Sequence, residues 1–241
     1  MRYAIFSDIH GNLEALHAVF KAYKDERIDK FICLGDIVGY GANPNECVTY
    51  VRSTDSACVA GNHDCAAVDI NRAGAFNNNA YQAILWTAGQ LEEKAKIYLK
   101  GLKLVYEDKE VICLHGTLDA PGNFDYMFSI EDAVLTFKRM KKSICFVGHT
   151  HIPMIFYSLG TKTGIIEQPQ VMLSRAAKYI CNVGSIGQPR DRHADAAYCV
   201  YDAGKKLVEI KRIAYNISQT QEKIIRAGLP EFLANRLEKG R

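Results

Sequence analysis

No apolar run in this 241-residue chain approaches the ~18 residues that a membrane-spanning helix requires. The N-terminal MRYAIFSDIH has no basic stretch followed by an apolar segment and a small-residue cleavage site, so a secretory leader is not expected. CxxC pairs are missing too. Of the eight cysteines, Cys33, Cys58, Cys113, Cys145, Cys181 and Cys199 lie inside apolar β-like runs, where a thiol acts as a small buried hydrophobe. Those settings argue against a disulfide framework and predict reduced thiols in a cytoplasmic protein. Neither charge is in excess: 30 basic residues face 27 acidic ones, for a formal net charge of +3. That balance carries no nucleic-acid footprint and no attraction to an acidic membrane surface. Linkers, low-complexity tails and internal repeats are also lacking, which predicts one domain over residues 1–241.

What is present is an alternation of short apolar runs and amphipathic segments. YAIFS reads as a strand, and Leu13, Leu16, Val19 and Phe20 then recur at helical spacing. FICLG, a helix near Glu46 to Arg52, and ACVAG continue the series in steps the length of a βαβ unit. Residues 77 to 100 read as a long helical insertion with Leu85, Trp86, Leu91 and Ile97 as its apolar positions. EVICLHG, a helix over Glu131 to Met140, and ICFVG follow. Beyond His151 come IPMIFYS, GIIEQPQVML, KYICNVG, AAYCVYD and KLVEIKRI without intervening helices, a pattern of hairpins and a meander. A terminal helical segment over 218–239 starts where Ser218 and Gln221 have the spacing of a capping box. The expectation is an α/β protein with two sheets and helices outside.

The strand exits share a chemistry. YAIFS runs into Asp8 and His10, FICL into Gly35-Asp36, ACVA into Gly61-Asn62-His63-Asp64, VICL into His115-Gly116, and ICFV into Gly148-His149-Thr150-His151. Five of the seven histidines lie at these exits, and in extended backbone His149 and His151 would project to one side. The carboxyl ends of strands are where α/β proteins build their sites. Carboxylate, imidazole and amide without thiolate suit Mn²⁺, Fe or Zn²⁺ better than Ca²⁺ or a structural zinc. So many ligands exceed one ion, and two ions sharing a carboxylate would generate a hydroxide nucleophile and clamp both oxygens of an in-line displacement at phosphorus.

In residue type, order and strand-exit position this series resembles the signature of the calcineurin-like metallophosphoesterase superfamily, and Asn182 to Arg192 resembles a later segment of its small prokaryotic members. The resemblance implies a four-layer α-β-β-α sandwich with two mixed sheets. It places Asp8, His10, Asp36 and His151 on one metal ion, with Asp36 bridging to a second that Asn62, His115 and His149 complete. It makes His63 a proton donor or phosphoryl-holding group oriented by Asp64. The ions it implies are two divalent transition metals (Mn, Fe, Zn or Ni), with Mn preferred. Many phosphoprotein phosphatases of the superfamily carry an Asp-Arg pair after the second motif. Gly35-Asp36-Ile37-Val38-Gly39 lacks it, which argues against a protein serine/threonine phosphatase.

Other features have plainer roles. Asn12 is expected as the N-cap of the Leu13 helix, and Asp64 could be a cap rather than a catalytic partner. Gly39-x-Gly41 lacks the third glycine of a dinucleotide loop. Arg190, after a Gly-Ser-x-Gly turn, could reach a substrate phosphate, while Arg192, His193 and Cys65 are expected to be bystanders. The expected activity is metal-dependent hydrolysis of a small or nucleotide-type phosphoester, by a phosphodiesterase or phosphatase. A dinucleoside-polyphosphate hydrolase and a non-catalytic metal-binding scaffold are the alternatives. No macromolecular partner is implied beyond a possible homo-oligomer.

Overall fold

Alternation along the first strand sets the layers. In the computed structural model, which describes residues 1–241, β1 (Arg2–Phe6) turns Ala4 and Phe6 into one apolar cluster and Tyr3 and Ile5 into another. Such a strand is buried on both faces. α1 (Leu13–Tyr23) begins at Asn12, whose side chain accepts a hydrogen bond from the Ala15 N–H, and packs Leu16, Val19 and Phe20 on Ala4 and Phe6. β2 (Lys30–Cys33), α2 (Pro44–Ser53), β3 (Ala57–Cys58) and α3 (Asn62–Val68) follow. β1, β2 and β3 are parallel, as their helical crossovers require. ACVAG yields a shorter strand than its composition suggests: Val59 still donates its N–H to the Cys33 carbonyl of β2, but it then bridges to Lys103 outside the ladder.

Residues 77 to 100 form α4 (Asn78–Gln90) and α5 (Glu93–Lys100), separated by Leu91 and Glu92 in extended backbone. The break prevents one apolar stripe from running through both helices. Ala80, Ala83, Ile84 and Thr87 line the buried side of α4, whereas Leu85 and Ile97 are 45% and 64% exposed, contrary to expectation. β4 (Val105–Glu107) pairs antiparallel with β5 (Ile112–Leu114), and α6 (Ile130–Arg139) starts in a capping box of Ser129 and Asp132. β6 (Ile144–Val147) then lies parallel to β5.

The later strands are β7 (Met154–Leu159), β8 (Lys162–Ile166), β9 (Gln170–Met172), β10 (Lys178–Asn182), β11 (Ala196–Asp202) and β12 (Leu207–Ile213). β7–β8 and β11–β12 are the expected hairpins, but a continuous meander does not form. GIIEQPQVML breaks before Pro169, which has no N–H for a ladder, and its halves join different sheets. β10 inserts between β6 and β7.

Two six-stranded mixed sheets result, ordered β3-β2-β1-β11-β12-β9 and β4-β5-β6-β10-β7-β8. Tyr3, Ile5 and Ile32 meet Ile144, Phe146, Tyr179 and Cys181 between them. α1, α2, α4 and α5 cover the first sheet, and α6 covers the second through Ala133, Phe137 and Met140. This is the four-layer α-β-β-α sandwich. α7 (Ile217–Arg226) and α8 (Glu231–Asn235) pack on α4 and on Tyr40. The expected Ser218–Gln221 capping box is absent, because the helix is capped two residues earlier, at Asn216. Asn216 accepts from the Gln219 N–H, Ser218 donates to Asn216, and Gln221 reaches the Ala234 carbonyl. All eight cysteines are free, and no helix is long and apolar enough to cross a membrane.

Candidate metal centre

The exits of β1, β2, β5 and β6 converge at one end of the sandwich, and the chain turns sharply there. Asp8, His10, Asp36, His149 and His151 all have positive φ, at 54°, 51°, 52°, 71° and 62°. Left-handed backbone at non-glycine residues costs on the order of 1 kcal/mol each and persists where surrounding contacts enforce it. His149 and His151 are therefore not on extended backbone. The turn sends them to different neighbours. His151 Nε2 lies 3.1 Å from His10 Nε2 and 3.3 Å from Asp8 Oδ1. His149 Nδ1 lies 3.1 Å from His115 Nε2, which is 3.3 Å from Asp36 Oδ2.

Asp8, His10 and His151 thus form one buried group able to hold an ion, and Asp36, His115 and His149 another. Asp36 Oδ2 faces both, standing 3.5 Å from His10 Nε2 as well. The ring nitrogens pointing away are fixed by backbone carbonyls: His10 Nδ1 by Val38, His151 Nδ1 by Gln188 and His115 Nδ1 by Leu34. These carbonyls can only accept, so each Nδ1 carries a proton, and in the neutral rings of His10 and His151 Nε2 presents a lone pair. Lone pairs of His10 and His151 facing each other beside a carboxylate repel unless a cation lies among them. Asp8 Oδ1 and Asn62 Oδ1 are likewise buried without a hydrogen-bond partner. The donor set of nitrogen and oxygen fits divalent metal ions.

Burial holds His10 and His151 neutral, pushing both far below the usual histidine range. It takes His63 down to about 4 and His149 to about 3. Burial acts against the His115 charge too, but Asp36 and Asp8 outweigh it and raise His115 to about 9. Asp36 is held ionised: burial opposes its charge, and His115 and His63 overcome that opposition. Asp8, dominated by burial, rises to about 6.

The buried His63 ring lies 4.8 Å from that of His10 and 4.5 Å from Tyr40, with Nδ1 unpaired. It also groups with His10 and Asp36. Asp64 does not orient it. The Asp64 carboxylate accepts from the backbone N–H groups of Ile37, Val38 and Gly61, so it pins the second and third strand exits together as a cap. Asn12 is spent on the α1 cap and the Gly187 carbonyl. Arg190 lies over Tyr40, 5.6 Å from the ring centre, and donates to Gln188.

Several residues at the site escaped the sequence. Phe76, Phe124 and Tyr126 line a pocket of about 240 Å³ that opens on Asn62 and His149, with Arg72 at its edge. Tyr126 stacks on His149 at 4.0 Å and on Phe128 at 5.3 Å. Arg236 of the C-terminal segment reaches Gln188. Loop and chain-end residues such as these leave no periodic signal.

A model of the calcineurin-like phosphoesterase superfamily domain matches residues 1–206. The chain belongs to the calcineurin-like phosphoesterase superfamily. It is 40% identical to an uncharacterized protein of Methanocaldococcus jannaschii, over 99% of this chain and 98% of that one. The crystal structure of a metallophosphoesterase from Sphaerobacter thermophilus superposes with a TM-score of 0.86 at 36% identity, covering 100% of this chain and 99% of that one. A hypothetical protein of Pyrococcus horikoshii shares the fold at 19% identity, with a TM-score of 0.81 over 100% and 98% of the two chains. The superfamily member described here is accordingly a metal-dependent phosphoester hydrolase, and its buried Asp and His groups fit a metal site.

Proposed function

We propose that the chain is one phosphoesterase domain acting on a small or nucleotide-type phosphoester, as a phosphodiesterase or phosphatase. Asp8, His10, Asp36 and His151 would hold one divalent ion, and Asp36, Asn62, His115 and His149 a second, with Mn²⁺ as the preferred metal. The observation that carries this assignment is Asp36 Oδ2, which lies 3.5 Å from His10 Nε2 and 3.3 Å from His115 Nε2 and so faces both ligand groups. Such ions supply Lewis acidity at the phosphoryl oxygens and a nucleophile at neutral pH. Arg190 binds the phosphoryl group from the His10–His151 side. His63, buried and neutral beside His10, donates an N–H hydrogen bond to the leaving oxygen or to the phosphoryl group. The aromatic pocket on the Asn62–His149 side takes the organic portion of the substrate, which favours a planar group such as a nucleobase. The setting is cytoplasmic, consistent with eight unpaired thiols.

The test is Mn²⁺-dependent hydrolysis of bis-p-nitrophenyl phosphate, run beside Asp36→Asn. The substitution removes the shared charge while keeping the shape, so turnover should fall at least about a hundredfold with an unchanged circular dichroism spectrum. A folded variant that kept its metal-dependent rate would falsify the bridge. No turnover of this diester or of p-nitrophenyl phosphate, with two ions bound, would overturn the small-ester substrate.

A further inference from the structure

Two arginines meet beside the metal centre without a carboxylate between them. Gln188 Oε1 accepts at 2.8 Å from Arg190 Nη2 and at 2.9 Å from Arg236 Nη1. Four other arginines are paired with acids: Arg2 with Glu26 and Asp202, Arg139 with Asp119, Arg212 with Asp191 and Arg226 with Glu222. Arg190 and Arg236 share a neutral amide oxygen instead, which orients their forks and offsets neither charge. The Nε of Arg190 is buried and has no acceptor. Burial, then the neighbouring Arg190 charge, pushes Arg236 down to about 10.

The pair is tied to the site by its neighbours. The Gln188 carbonyl holds His151 Nδ1 at 2.6 Å, and Arg190 donates its backbone N–H to the His151 carbonyl. Tyr40, under the Arg190 guanidinium, lies 4.6 Å from the His10 ring and packs against Leu233 and Leu237, which flank Arg236. The remaining contacts of Arg236 are the Phe232 ring and a backbone oxygen of Arg241, the last residue of the sequence.

We propose that Arg236 and Arg190 form an anion subsite that holds a second phosphate of the substrate, adjacent to the one attacked. The subsite rests on the hydrolase assignment above and narrows it to substrates with neighbouring phosphates, of the phosphoanhydride type. Two guanidinium forks fixed by one amide supply the several N–H donors and the double charge that a terminal phosphate dianion matches and a lone diester does not. Arg190 alone would serve the scissile phosphoryl; the second fork has no partner in a substrate with one phosphate.

Calorimetric titration of the Mn²⁺-loaded full chain with methylphosphonate and with methylenebisphosphonate, in excess free Mn²⁺, separates these cases. Neither ligand has a bond this enzyme hydrolyses. R236Q should weaken methylenebisphosphonate about tenfold while changing methylphosphonate less than about twofold, and R236K should fall between. Equal weakening of both ligands, or of neither, overturns the subsite. Should R236Q melt abnormally, R236K alone decides, because it keeps the charge and removes the fork. The binding comparison does not require turnover. Failure of the wild-type diester assay would therefore sink the hydrolase substrate without touching it, and a working assay with unchanged R236Q binding would sink only the subsite.

Discussion

Five of the proposed ligands occupy backbone that most residues avoid, and the glycines beside them are there for space. A Cβ on Gly61 would stand 2.0 Å from Asp36 Oδ1. Gly61→Ala must therefore displace the carboxylate that faces both ligand groups, or move the loop that carries Asn62. The expected outcome is loss of Mn²⁺-dependent turnover by about a hundredfold or more, with a stability loss of about 1–3 kcal/mol measured by urea unfolding. Wild-type activity in a variant of unchanged stability would show that the loop yields freely. The proton on His115 leads to a second expectation. Its pKa is raised to about 9 in the metal-free centre, so at pH 7 it is protonated, and a metal ion must displace that proton to use Nε2. Metal uptake should release protons, and affinity should climb as pH rises from 6 toward 9. Calorimetry in buffers of different ionisation enthalpy measures the release; an affinity independent of pH over that range would remove His115 from the ligand set.

Between elements, the sequence was legible wherever an apolar run ended in a polar ligand type. Asp8, Asp36, His115 and His149 each follow a strand whose last residues are buried, so composition and order mark their exits. Tertiary assembly decided the rest. The i, i+2 spacing of His149 and His151 suggested one shared face, but left-handed backbone separates them, and pattern alone does not show φ. β4 has only three residues and no periodicity to detect, while Arg236 and Tyr126 arrive through packing of a chain-end helix and a loop. Asp64 shows how two functions can look alike in sequence. Its three backbone donors make it a clasp between strand exits. In Asp64→Asn one oxygen becomes an NH₂ that faces an N–H, which should cost about 1–3 kcal/mol, lowering the melting temperature by roughly 2–12 °C. The pH–rate profile should stay in place. A displacement of that profile by a unit or more would restore Asp64 to an orienting role toward His63.

At the scale of the whole molecule, the centre sits across the seam of the sandwich. Asp8, His10 and Asp36 come from the exits of the first sheet, and His115, His149 and His151 from those of the second. Each proposed ion draws ligands from both: His151 joins Asp8 and His10, and Asp36 joins His115 and His149. Without an ion, the seam at this end brings unpaired carboxylate and imidazole lone pairs together; with one, the same groups fasten the sheets. Metal should therefore stabilise the fold globally and not only locally. Linkage gives about 2.7 kcal/mol for each ion present at a hundred times its dissociation constant, so two ions should raise the melting temperature by roughly 10–20 °C. Asp36→Asn should forfeit more of that gain than His63→Gln, because Asp36 serves both ligand groups and His63 is proposed to serve the leaving oxygen. Thermal melts of the three proteins, with Mn²⁺ and with chelator, measure this directly. If Mn²⁺ raised the melting point of Asp36→Asn as much as that of the wild type, the ions would not be joined through Asp36. If His63→Gln lost the larger share, His63 would belong among the ligands, beside His10 and Asp36.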